Sequence, residues 1–340
     1  MSAVVTVGAG PLQPLLDDPA VTDVLVNGAD GVWVDRGSGL ERSPVRFRDD
    51  DAVRALAVRL AAAAGRRLDA AVPFADAQLG GGVRLHAALA PVAGPGTCIS
   101  LRVHRRGGFP VSAFCSSPAV EDVLLACVAG RLALVVSGGT GTGKTTLLDA
   151  LLGHADPRER LVIVEDAGEL APDLPHVVRL AARPPNVEGA GGIDLRHLVR
   201  QALRMRPDRI VVGEVRGAEI VDLLLALNTG HDGGATTVHA NGVHEVPARL
   251  EALGALADLP RAALHSQMAA ALDVVIHLDR RGGRRVSGIA ALERGPDGLV
   301  AAIPVLQAEL GQWARGPGAV SLVRRLHDRG VSSPSALVGP

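Results

Sequence analysis

Ser137-Gly138-Gly139-Thr140-Gly141-Thr142-Gly143-Lys144-Thr145-Thr146 decides how this 340-residue chain is read. An apolar run, Leu132-Ala133-Leu134-Val135-Val136, precedes it, and Leu147-Leu148-Asp149-Ala150-Leu151-Leu152 follows. The context is therefore buried strand, glycine loop and helix. Gly138, Gly143, Lys144 and Thr145 satisfy the spacing of a phosphate-cradling P-loop. Glycines let the backbone curl so that successive N–H groups of Gly139, Thr140, Gly141 and Thr142 face phosphate oxygens, and the helix beginning near Thr146 adds its positive end. In such a loop Lys144 reaches the β- and γ-phosphates of ATP, and the Thr145 hydroxyl holds Mg²⁺.

Lys144 is the only lysine in the sequence; every other one of the 35 Lys and Arg side chains is arginine. Arginine serves wherever charge alone suffices. An ammonium stands at the one place where a compact charge on a flexible stem is needed beside phosphates.

The chain is 47% hydrophobic and 21% charged with a net charge of −1, which describes a globular protein long enough for two cores. No apolar run reaches the roughly 18–20 residues of a membrane span, and no secretory signal is visible. The expectation is a cytoplasmic protein. Cys98, Cys115 and Cys127 are too few and wrongly spaced for a zinc site or a disulfide framework. Tyrosine is absent and aromatics are 2%, which argues against stacking platforms for single-stranded nucleic acid. The near-neutral charge argues against a duplex-binding face, so direct nucleic-acid binding is not expected.

Around the loop the chain reads as an α/β protein. Residues 1–105 form a smaller α+β domain: a hairpin of Val21–Val26 and Val32–Asp35, one amphipathic helix carrying Val53, Leu56, Ala57, Leu60, Ala61 and Ala64, then strands at Val83–Ala87 and Thr97–Val103. Arg84 and Arg102 lie in those strands, where solvated edge charge is the plain reading. Residues 106–117 read as a linker, and Pro118 opens a helix leading into the P-loop strand. From there to residue 300 strands alternate with helices, the pattern of a covered parallel sheet. Leu161–Val164 ends in Glu165-Asp166, and Arg209–Gly213 ends in Glu214. Acids at strand C-terminal ends lie where open α/β sheets bind ligands. Glu214 stands at a Walker B position, able to hold the Mg²⁺ shell or orient water; capping the next helix is the other reading. His231 and His239 bracket a short strand and by themselves read as loop histidines. Residues 301–340 read only as a C-terminal tail, because Gly, Pro and Ser increase and periodicity fades.

Together these stretches resemble the secretion ATPases of the type II/type IV superfamily, in particular the TadA/CpaF branch that drives assembly of tight-adherence pili. An actinobacterial, conjugal-transfer-associated TadA-like form is the nearest. The likeness spans roughly residues 20–295 and rests on Gly82-Val83-Arg84, Ser100-Leu101-Arg102, the P-loop, Ile163–Leu170 as an Asp box, Leu203–Arg209, Gly213–Glu219 as Walker B, and Thr229–Asn241 as a His box. The resemblance implies a RecA-like ATPase domain behind the N-terminal domain. It implies a homo-hexameric ring that hydrolyses ATP with Mg²⁺, the nucleotide lying between the two domains. The ring works on inner-membrane platform proteins of a pilus or secretion machine, at the inner face of the cell membrane. Arg84 and Arg102 then match arginines that close on the phosphates. Glu214 matches the water-orienting acid, with Glu165, Asp166 and Glu169 able to share that role or shape the Mg²⁺ shell. His231 and His239 match residues that sense the γ-phosphate or link subunits. The long N-terminal extension and the four-cysteine insertion of some relatives have no counterpart, so no zinc is expected. A conjugative DNA-transfer ATPase and a non-hydrolysing nucleotide-binding scaffold are the alternatives.

Overall fold

The computed structural model describes residues 8–94, 96–103, 109–183, 185, 190–280, 283–309 and 312–338. The first part of the linker, Arg106–Gly108, lies outside the described residues, as do parts of the Pro- and Gly-rich loop at 182–193 and of the Arg–Gly turn after Leu278. The chain divides into two compact units, Met1–Gly107 and Gly108–Pro340.

In the first unit the described elements are α1 (Gln13–Asp17), β1 (Asp23–Asn27), β2 (Val32–Asp35), β3 (Leu40–Arg42), α2 (Asp50–Ala63), β4 (Phe74–Leu79), β5 (Val83–Ala88) and β6 (Cys98–Val103). The strands form one antiparallel sheet in the order β3-β2-β1-β6-β5-β4. Alternation explains its one dry face: Val83, Leu85 and Ala87 of β5 and Ile99, Leu101 and Val103 of β6 are buried, while their neighbours are not. Val53, Leu56, Ala57, Leu60 and Ala61 of α2 are buried in the same core. Asp49 starts α2 by accepting the Ala52 N–H at 2.9 Å, a cap that contributes about 1 kcal/mol.

The second unit contains α3 (Pro118–Ala129), β7 (Leu134–Gly138), α4 (Lys144–Leu152), β8 (Leu161–Glu165), β9 (Val177–Ala181), α5 (Leu195–Ala202), β10 (Arg209–Val212), α6 (Glu219–Leu227) and β11 (Ala235–Val238). These are followed by α7 (Val246–Ala255), α8 (Arg261–Ala271), β12 (Val274–Asp279), β13 (Arg285–Arg294), β14 (Val300–Glu309), β15 (Gln312–Arg315), α9 (Gly318–Asp328) and α10 (Ser335–Val338). They build a sheet in the order β15-β14-β13-β12-β7-β11-β10-β8-β9, parallel from β12 to β9 and antiparallel from β12 to β15. Every residue of β7, β8, β10 and β11 is buried, as strands covered on both faces require. Each strand feeds both cores: Leu134, Val136, Leu161, Ile163 and Val211 pack on one face, and Val135, Val162, Val164, Ile210 and Val212 on the other.

The reading of residues 301–340 as a tail is corrected. β14 pairs with β13 over most of its length, and Leu322 and Leu326 of α9 are fully buried in the core. Two features hid it. Pro304 sits inside a strand, where proline normally argues against one. Here a register shift between Ile289 and Ala290 leaves Val305 as the extra residue beside Pro304, a bulge that accommodates the missing donor. The helix is also short, with Ala319, Leu322 and Leu326 as its only buried apolar side chains. Leu322→Ala is expected to lower stability by about 2–5 kcal/mol in urea denaturation, whereas Val320→Ala on its exposed face stays within about 0.5 kcal/mol. Equal small effects would mean that α9 does not belong to the core.

Candidate functional site

β7 carries the chain straight into the loop. Its register against β11 (Val238 beside Ser137) and β12 (Leu278 beside Gly138) aligns the C-terminal ends of three parallel strands at this edge. Gly143 adopts the left-handed conformation (φ +93°) and serves as N-cap of α4, so Lys144, Thr145 and Thr146 form the first helical turn. A side chain at Gly143 would meet Phe114 Cε1 at 3.0 Å. Phe114, in the 3₁₀ turn Val111–Phe114, is buried and thus floors the helix start. Nothing in its local sequence separates it from any other core phenylalanine.

The Lys144 ammonium folds back into the loop and donates to the carbonyls of Gly138 (3.0 Å) and Gly139 (2.9 Å). Thr142 Oγ1 also donates to Gly139 (3.0 Å). Burial pushes the Lys144 pKa below its ordinary value, against the pull of the Glu214 carboxylate. His239, just past β11, bridges the two: Nδ1 lies 3.4 Å from Lys144 Nζ and Nε2 lies 2.9 Å from Glu214 Oε1. Burial first, and the Lys144 charge second, hold the imidazole below its usual pKa, opposed by Glu214, so it is neutral at pH 7. Glu214 Oε2 accepts from Arg216 Nε at 2.7 Å, a pairing the sequence reading passed over. Glu219 holds the same turn through the N–H groups of Arg216 (2.6 Å) and Gly217 (2.8 Å). Thr237 Oγ1 donates to Gly213 (2.8 Å), tying β11 to the residue before Glu214.

The predicted residues divide clearly. The structure brings together Gly138 to Thr146, Glu214 and His239. It does not bring in His231, which precedes the N-terminal end of β11 while the P-loop lies past the C-terminal end of its neighbour β7. His231 Nδ1 stands 3.1 Å from the Ala226 carbonyl and 3.4 Å from Thr229 Oγ1, so it finishes the end of α6; γ-phosphate sensing within one chain is corrected for it. Glu165 turns inward. Its Oε1 accepts from the N–H groups of Glu169 (3.1 Å) and Leu170 (3.0 Å), and its stem packs where a Gly213 side chain would stand. Burial raises its pKa to about 7, opposed by those two N–H groups. Asp166 is exposed and Glu169 half-buried on the following turn.

In the first unit, Arg84 and Arg102 are direct cross-strand partners on β5 and β6. Both strands are interior to the sheet, which corrects the edge-charge reading. Two cations opposite one another repel. Acids offset this: Arg84 grips Asp76 at 3.2 and 2.9 Å, and Arg102 Nε donates to Asp23 at 3.0 Å.

The donor set fits magnesium. Among the described residues no three His, Cys, Asp or Glu side chains form a metal cluster. Mg²⁺ does not need one, since it keeps waters and takes one or two side chains with the substrate phosphates. Glu214 Oε1 is buried without an aligned hydrogen bond, His239 being at ion-pair distance only. Thr145 is half-buried in the first turn of α4.

Residues 5–287 match the Type II/IV secretion system protein family. The chain belongs to that family. A Mycobacterium tuberculosis protein named for conjugal transfer is 60% identical over 316 residues, covering 89% of this chain and 90% of the relative. The conjugal transfer protein TrbB of Rhizobium radiobacter is 32% identical over 289 residues, covering 82% and 85%. Among solved structures, the pilus retraction motor PilT with bound ADP aligns at a TM-score of 0.58 and 15% identity over 94% of this chain and 86% of that one; this likeness shows the fold alone. The second unit is the RecA-like ATPase fold of secretion ATPases.

Glu165 yields a pH test. Its folded pKa lies above its unfolded value, so the unfolded chain loses this proton first as pH rises. The proton's stabilising effect is therefore complete at low pH and fades between about pH 4.5 and about pH 7. Glu165→Gln is expected to gain stability relative to wild type as pH goes from 5 to 8, measured by urea midpoints. A pH-independent difference would contradict the buried, raised carboxyl.

Proposed function

We propose that the protein hydrolyses ATP with Mg²⁺ and, as a homo-hexamer, drives a tight-adherence-type pilus or secretion machine through membrane platform proteins. The observation that supports this most is the Lys144–His239–Glu214 chain, which links the P-loop cation to the strand-end acid through one neutral imidazole. ATP is the substrate. Lys144 exchanges the Gly138 and Gly139 carbonyls for phosphate oxygens, a trade of neutral acceptors for charged ones. Magnesium, when bound, supplies charge neutralisation on the β- and γ-phosphates, with Thr145 and Glu214 as its side-chain partners. Glu214 orients the attacking water and takes its proton as the oxygen–phosphorus bond forms and the bond to ADP breaks. His239, with Nε2 2.9 Å from Oε1, stands between the Glu214 carboxylate and Lys144. Arg84 and Arg102 stabilise the transferring phosphoryl group, and Glu165, Asp166 and Glu169 shape the turn beside Glu214. His231 is left the subunit-linking role.

Conjugative DNA transfer is the second reading, favoured by the names of the two relatives. Direct DNA contact would show as binding that weakens steeply with salt.

Phosphate release by the purified oligomer tests the proposal. Lys144→Ala is expected to abolish turnover. Glu214→Gln keeps ATP binding and loses about 10²–10⁴-fold in kcat. Arg84→Ala and Arg102→Ala lower kcat by about 10²-fold while ADP affinity stays. Full activity in Lys144→Ala, or no hydrolysis by wild type, would overturn the assignment.

A further inference from the structure

We infer that Arg280 is a second cationic ligand of the polyphosphate chain, acting from the same subunit as Lys144. The inference rests on the nucleotide-site reading above and names a residue outside the motifs that carry it.

Register places this side chain. β12 runs parallel to β7 and pairs Leu278 with Gly138, the residue at which β7 turns into the loop. Two residues later the chain reaches Arg280, alongside the loop. A side chain at Gly141 would stand 3.2 Å from Arg280 Nη1, so the guanidinium lies over the middle of the loop. Gly141 (φ +71°) must be glycine for its backbone, and its lack of a side chain also leaves the room that Arg280 uses.

The Arg280 side chain is exposed and, among the described residues, makes no hydrogen bond or ion pair. Its neighbour Asp279 is engaged by Arg285 at 3.5 Å. In contrast, Arg196 and Arg200 share Asp222, Arg209 pairs with Glu159, and Arg329 with Asp232. An unneutralised guanidinium beside a helix start and the lysine ammonium adds repulsion to the empty site. A polyanion turns that repulsion into binding energy, and the planar fork of an arginine suits phosphate oxygens. Because Arg280 directly follows the strand next to the loop, it grips bound substrate and product alike; it contributes to affinity rather than to the chemical step.

Arg284 is the internal comparison. Only its aliphatic Cδ approaches a Gly143 Cβ position, at 3.6 Å, whereas Arg280 brings a guanidinium nitrogen to the loop.

Titrations of the full chain with ATP, ADP and inorganic tripolyphosphate test this, with thermal midpoints confirming folding. Arg280→Ala is expected to weaken all three by about 10- to 100-fold, the loss of one charge-assisted contact. Arg280→Lys should recover part of that, and Arg280→Glu should bind none. The KM for ATP rises while kcat stays within about twofold. Arg284→Ala should lose less than Arg280→Ala. Wild-type affinities in Arg280→Ala, together with loss in Lys144→Ala, would overturn this inference and leave the nucleotide site standing. A loss confined to kcat, or a larger loss in Arg284→Ala, would also overturn it. Wild-type protein indifferent to ATP and tripolyphosphate would overturn the nucleotide-site reading as well.

Discussion

The second unit turns on one ammonium group held half out of water by its own loop. Lys144 Nζ satisfies itself on two carbonyls, and burial lowers its pKa. That arrangement is only marginally content: the carbonyls are neutral, and the charge is compensated at a distance by Glu214 through His239. A triphosphate offers the same ammonium charged oxygens. The loop is therefore closed on itself in a way that phosphate can displace. Displacement also removes one neighbour of His239, and with it one of the influences on where Glu214 points. On the proposed function, a triphosphate bound at Lys144 would act on the placement of Glu214 through these contacts.

The sheet makes that contact possible. Lys144, His239 and Glu214 come from three points far apart in sequence. They meet because β7, β11 and β10 are adjacent and parallel, and each of the three residues follows a strand's C-terminal end. The hairpin formed by β12 and β13 adds Arg280 from the other side of β7.

Much of this was legible in the residues. The P-loop, the strand–helix alternation and the acid-tipped strands follow from periodicity and glycine placement, because these are local signals. What sequence spacing could not settle was direction. His231 and His239 are eight residues apart around one strand, and a strand sends its two ends to opposite edges of the sheet. Glu165 and Glu214 look alike as strand-end acids, yet one turns into the core and the other toward the loop. Arg84 and Arg102 read as edge charges, since the edges of a sheet are defined by pairing order and not by composition. The last forty residues hid a strand because Pro304 is a local breaker that a bulge absorbs, and bulges are set by the partner strand.

Because Lys144 is the only lysine, protein grown with ¹³C,¹⁵N-lysine carries a single labelled side chain. Its Cε resonance, followed by NMR through a pH series and an ATP·Mg²⁺ titration, tests the central claim most directly. The account requires a titration below the ordinary lysine value without nucleotide and a saturable shift as nucleotide binds. A side chain that titrates like free lysine and does not respond to ATP would contradict it.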